Sequence, residues 1–151
     1  MTTHRPGRKA PRPPYRVFAH TADAGARVSG RTLRQLFEHA ALALLDLAGD
    51  RAAVRPRRRV AIAVEGASLE DLLVRWLSEI LFLQEIRGWR VHAGRVDRLD
   101  RRRLRLRGAA LGEPFDARRH RRGREVKAVT YHRLRLVRRG GRWSVSIVFD
   151  V

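Results

Sequence analysis

The apolar residues of this chain follow two periods in separate stretches, and that division limits the folds open to it. Leu33, Leu36, Phe37, Ala40, Ala41, Leu44 and Leu47 recur at helical spacing, and Leu69, Leu72, Leu73, Trp76, Leu77, Ile80, Leu81 and Leu83 repeat the pattern over a broader face. Thr32 followed by Gln35 is a capping-box pattern, Ser68 supplies a second N-cap, and Gly49 and Gly88 close the two segments. From Arg90 onward the period becomes two. Leu104 and Leu106 sit between Arg103, Arg105 and Arg107, followed by an apolar run over 126–137 and by Trp143, Val145, Ile147 and Phe149. Such runs are strands with one wet face, and Gly140-Gly141 marks the last two as an antiparallel hairpin. Earlier strands are expected over 15–19, 26–30 and 60–64, the first two separated by the turn His20-Thr21-Ala22-Asp23. The sum is α+β, a two-layer sandwich with two helices packed on one face of a mostly antiparallel sheet.

A chain of 151 residues suits one such core. Residues 1–14 are basic and proline-rich, with Pro6, Pro11, Pro13 and Pro14 among His4, Arg5, Arg8, Lys9 and Arg12. They lack the apolar surface that would order them, and they read as a flexible tail ahead of a domain over 15–151. They also lack the apolar segment of a secretory signal, and no stretch has the length of a membrane span, so a cytoplasmic protein without membrane attachment is expected. The absence of cysteine excludes disulfides, thiolate metal sites and a thiol nucleophile. Lys plus Arg is 34 against 15 for Asp plus Glu, a formal +19 that attracts polyanions, although a general preference for arginine gives the same balance. Direct RNA contact is one expectation from it, with the cluster Arg118, Arg119, His120, Arg121, Arg122 in a long polar loop as the place.

Several residues have chemistry to offer. His20 and Asp23 share a tight connection, where Asp23 either ligates a cation beside an imidazole or simply caps the turn. Asp150 follows Phe149 at the end of an apolar strand and precedes Val151; with the terminal carboxylate it makes an oxygen-rich group suited to a hard cation such as calcium, unless the strand tip is loose. Lys127 is conspicuous because arginine supplies nearly every other cation; it is either a phosphate or carboxylate contact or a lysine on a wet strand face. Walker, dinucleotide-binding, nucleophile-elbow and zinc-helix motifs are missing. Trp76, Trp89 and Trp143 fall in apolar patterns and read as core.

His20-Thr21-Ala22-Asp23 after a short strand, Leu72-Leu73-Val74-Arg75-Trp76-Leu77, Gly112-Glu113-Pro114, Glu125-Val126-Lys127-Ala128-Val129-Thr130-Tyr131-His132 and the final Phe149-Asp150-Val151 together resemble the archease family over about residues 15–151. The resemblance implies an accessory protein that promotes guanylylation and multiple turnover of an RtcB-type RNA ligase in tRNA splicing or RNA repair, with GTP and manganese belonging to the ligase. It implies a protein without turnover of its own. It further implies a divalent-cation site, calcium in relatives, on Asp23, Asp150 and Val151, with Lys127 acting beside the aspartates on the ligase. His20, Glu113, His120 and His132 match supporting positions.

Two alternatives stand beside this one. The first is a basic RNA-binding or chaperone protein for tRNA-modifying enzymes such as a tRNA methyltransferase. The second is a metal-dependent hydrolase using Asp23, Asp150 and His20, for which no nucleophile or substrate pocket is evident in the sequence.

Overall fold

The structure, a computed structural model, describes residues 13–19 and 23–151. The chain runs β1 (Tyr15–Ala19), β2 (Asp23–Gly30), α1 (Leu33–Ala48), a 3-10 turn (Arg51–Ala53), β3 (Arg58–Glu65), α2 (Leu69–Glu85), β4 (Trp89–Asp100), β5 (Arg105–Pro114), β6 (Ala128–Val129), β7 (Val137–Arg139) and β8 (Arg142–Asp150). The α+β architecture expected from the change of period is present, with every strand pairing antiparallel. The strands divide into two sheets. One has the order β1-β2-β8, with β6 and β7 paired to different stretches of the far edge of β8; the other has the order β3-β5-β4.

Local chemistry sets the helix ends. The Thr32 hydroxyl accepts from Gln35 N at 3.1 Å, and the Gln35 side chain reaches back to Arg31 N at 2.7 Å. At α2 the Ser68 hydroxyl accepts from Asp71 N at 3.0 Å, while Asp71 accepts from Ala67 N at 2.8 Å. Leu36, Phe37, Ala40, Ala41 and Leu44 of α1 are buried, as are Leu72, Leu73, Trp76, Leu77 and Ile80 of α2, and all join one core with Ala26, Val28, Val145, Ile147 and Phe149. α1 packs against β2 and β4, and α2 against β3, β4 and β6, so the helices share a core with both sheets. The Trp76 indole crosses it to donate to the Phe37 carbonyl at 3.0 Å. Among the described residues no helix is long and apolar enough to cross a membrane.

Two expectations need adjustment. β2 begins at Asp23, not at 26, which moves Asp23 from a turn onto a strand. The strand expected over 126–137 is broken: only Ala128–Val129 and Val137–Arg139 are paired, and a turn intervenes. In that turn Leu134 N donates to the Tyr131 carbonyl at 3.2 Å and Arg133 adopts φ 49. The turn is tied to α2 instead of to a strand, since Leu136 N donates to Glu70 at 3.0 Å and the Tyr131 hydroxyl donates to Asp71 at 2.6 Å. The Gly140-Gly141 hairpin forms as expected, with φ 57 and 73, the left-handed pair that a two-residue turn of this twist needs.

Candidate functional site

The pairing of β2 with β8 sets Asp23 opposite Asp150, and the pairing of β6 with β8 sets Ala128 opposite the same residue. Alternation fixes which way these side chains face. Ala24, Ala26 and Val28 of β2 and Val145, Ile147 and Phe149 of β8 are buried, so Asp23 and Asp150 project from the other side of the sheet. Directly opposite Cβ atoms lie about 5 Å apart, close enough for one cation to bridge two carboxylates. Lys127 N donates to the Asp150 carbonyl at 2.7 Å, which pins the start of β6 beside this pair and leaves the lysine exposed. Val151 follows half-buried and packs on the core.

His132 and Asp23 line one open cavity of about 850 Å³ with Arg16, Arg27 and Val148. His20 lies outside the described residues. Among the described residues no three His, Cys, Asp or Glu side chains gather at one point. Asp23, Asp150 and an oxygen of Val151 are the groups that this strand register could offer a cation. That all-oxygen set fits a hard divalent ion and not a soft one.

Glu113 and His120 form a different arrangement. Glu113 is 3 % exposed and its carboxylate accepts from Arg55 N at 2.7 Å, from the Arg119 guanidinium, and faces His120 Nε2 at 3.3 Å. The His120 Nδ1 accepts from Asp116 N at 2.9 Å, so the ring proton belongs on Nε2, pointing at Glu113. Burial, and after it the Arg119 and Arg90 guanidiniums, hold the His120 pKa below the usual imidazole value and keep the ring neutral. Nearby, buried Arg90 donates to the carbonyls of Gly49 at 2.7 Å and Arg121 at 3.3 Å, and Arg121 N donates to Asp50 at 2.8 Å. Gly123 then presses on the end of α1 so closely that a Cβ there would lie 1.8 Å from the Ala48 carbonyl oxygen.

These contacts explain how the loop after β5 delivers Lys127. α1 starts just beyond Gly30 and packs back along β2, so its last turn returns toward the Asp23 end. The loop is fastened there through Glu113, His120, Arg90 and Gly123, and four residues later it reaches Lys127. The supporting residues Glu113 and His120 thus belong to the scaffold of that loop, while His132 belongs to the cavity beside Asp23. Asp71 was not anticipated in this role. The Tyr131 hydroxyl, the Ala67 N–H and the Arg75 guanidinium hold its carboxyl down at about 2, and its bond to Tyr131 anchors the segment that follows Lys127. Ser68 followed by Asp71 was a visible capping pattern; the tyrosine partner sixty residues away was not.

Comparison with known proteins gives one consistent answer. A model of the Archease protein family matches residues 15–151. The protein archease of Methanopyrus kandleri is 43% identical over 139 residues, 91% of this chain and 99% of its own length. That of Pyrococcus furiosus is 39% identical over 137 residues, 89% and 96% of the two chains. Among solved structures, a Methanobacterium thermoautotrophicum protein superposes with a TM-score of 0.73 at 31% identity, covering 93% of this chain and all of the other. A Thermotoga maritima protein, described as an archease and possible chaperone, gives 0.63 at 25% identity over 98% of this chain and all of its own.

Proposed function

Because this chain belongs to the archease family, we propose that it is an accessory protein that activates an RtcB-type RNA ligase, promoting the GTP-dependent guanylylation and multiple turnover of that enzyme in tRNA splicing or RNA repair. The observation that carries the reading is the rung Asp23–Asp150 on the uncovered face of the first sheet, with Lys127 fastened beside it by its own N–H. Two carboxylates on an open surface, with an exposed lysine next in the chain to the residue opposite Asp150, suit a task performed on a partner, where they would meet the metal ions and phosphates of the ligase. A divalent cation, calcium by the preference of an oxygen-only set, would be held by Asp23, Asp150 and Val151 and would neutralise the paired carboxylates. This chain's part is to place Asp23, Asp150 and Lys127; GTP and manganese are the ligase's, and the chain turns nothing over by itself.

The test is formation of the covalent guanylyl-ligase from labelled GTP and manganese, with and without this protein. Wild type should raise the extent of guanylylation, and Asp23→Ala, Asp150→Ala and Lys127→Ala should lose the effect while unfolding at the wild-type midpoint. Full stimulation by all three variants would overturn the assignment of the site. A second reading, a chaperone for tRNA-modifying enzymes such as a tRNA methyltransferase, draws support from the description of the Thermotoga maritima relative. It predicts reduced light scattering from a heated methyltransferase when this protein is added, unaffected by the same three substitutions.

A further inference from the structure

The uncovered face of the first sheet carries more than the acidic rung. Next to the cavity that holds Asp23 lies a second of about 970 Å³, and the two share Arg16, Arg27, Arg133 and Ser146, so they form one continuous trough along β2 and β8. Arg16, Arg27, Arg133 and Arg135 line it, and all four are exposed. Ser29, Ser144 and Ser146 line it as well.

Three features separate these arginines from the general excess of basic residues. First, the four line one trough, and no ion pair among the described residues includes any of them, a state they share with most arginines of the chain. Second, Arg16 stands directly opposite Arg27 across β1 and β2, a rung of like charges that strand pairing disfavours. Third, Arg133 occupies a left-handed backbone position, φ 49, where glycine or asparagine is the less strained choice. Four guanidiniums outside any ion pair, with serines along the same concave strip and the one lining carboxylate, Asp23, at its end, are complementary to a chain of phosphates.

We infer that this trough binds single-stranded RNA through its phosphate backbone. The strip from Ser144 to Asp150 extends on the order of 20 Å, enough for about four nucleotides. Guanidiniums and hydroxyls read phosphate and sugar and not base edges, so binding is weakly dependent on sequence and strongly dependent on salt. The acidic rung at one end sets a limit, because bare carboxylates repel phosphates and the strand must end or leave there unless a cation intervenes. The basic loop over 118–122 is a different surface, fastened to the end of α1.

The experiment uses the full chain alone, so its outcome is independent of ligase activation. The probe is a fluorescein-labelled ten-nucleotide oligouridylate followed by anisotropy across a salt series. Wild type should bind with a log–log salt slope near −3, from about 0.7 per phosphate contact at four arginines. Arg27→Gln with Arg135→Gln should weaken binding on the order of tenfold and flatten the slope by roughly 1.4. Arg118→Gln with Arg121→Gln, a loop control, should change affinity less than twofold. Unchanged affinity and slope in the trough variant overturns the inference, as does no binding by wild type. Equal losses in both variants mean that net charge alone attracts RNA, and also overturn it.

Discussion

Replacing Glu113 with alanine should cost about 3–4 kcal/mol of folding stability while leaving the activating face intact. The carboxylate is almost fully enclosed and accepts from two donors, Arg55 N and the Arg119 guanidinium, with His120 Nε2 3.3 Å away. Removing one partner from a buried ion pair costs roughly 3–5 kcal/mol, and a donor left without an acceptor costs about 1–3. Arg119 is 31% exposed and can turn to water, which places the sum toward the lower end of that range. For a domain of this size such a loss lowers the unfolding temperature by roughly 10 °C. Denaturant unfolding at pH 7 measures it, and amide exchange over 116–124 should quicken more than elsewhere. At a temperature where the variant is folded, its saturating stimulation of the ligase should match wild type with a higher concentration needed, unlike Lys127→Ala. A stability change below about 1 kcal/mol would refute the role of Glu113 as the fastening point of the loop.

Four further outcomes follow from the same geometry. Calcium at a hundredfold excess over its dissociation constant should stabilise wild type by about 2.7 kcal/mol and should not stabilise Asp23→Asn, read by thermal unfolding with and without a chelator; equal shifts in both would remove Asp23 from the ligand set. His120 is held neutral below its usual pKa, so its contribution is fully present above about pH 6.5 and lost as the pH falls below that; the stability of wild type should drop on acidification through this window and that of His120→Gln should drop less. Tyr131→Phe should cost about 1 kcal/mol and let the Asp71 carboxyl titrate well above its present value of about 2, followed by carboxyl NMR; an unmoved Asp71 titration would refute the latch between the Lys127 segment and α2. Arg16→Glu turns a repulsive rung with Arg27 into an attractive one, so it should raise stability by roughly 0.5–1 kcal/mol while weakening RNA binding; lower stability would mean that the two arginines do not face each other as paired.

What was legible in advance follows from the range of each interaction. The helices were visible because caps and apolar stripes are local: Thr32 with Gln35 and Ser68 with Asp71 state their ends within a few residues. The closing hairpin was visible for the same reason, since two glycines at positive φ are a local demand. The placement of Asp23 near Asp150 needed only that the first and last long strands of the sheet pair. The break in 126–137 was hidden, because its apolar pattern is strand-like and what overrides it is a tyrosine hydroxyl and a backbone N–H captured by Asp71 and Glu70 on α2. The trough was hidden by abundance. In a chain with 34 basic residues, Arg16, Arg27, Arg133 and Arg135 look like any others until register and turn geometry bring them to one face.

The outer face of β2 brings the functional readings to one physical point. Its side chains alternate outward as Asp23, Gly25, Arg27 and Ser29, and each charged residue meets its own kind across the sheet: Asp23 meets Asp150, and Arg27 meets Arg16. A sheet selected for stability alone would cross these partners, since a like-charge rung costs about 0.2–1 kcal/mol and an opposite-charge rung returns a similar amount. The forgone stabilisation, roughly 1–4 kcal/mol over two rungs, is a sizeable share of the 5–15 kcal/mol by which a domain is folded. Both rungs lie on the one face of this sheet that no helix covers, so the missing counter-charges must come from solution: cations for the carboxylates, phosphates for the guanidiniums. A surface that holds out opposite charges in separate places, a few strand residues apart, can engage a phosphate chain and a metal together. That combination is what the proposed role beside an RNA ligase would call for, and the same two rungs would be a liability on a protein whose only task was to remain folded.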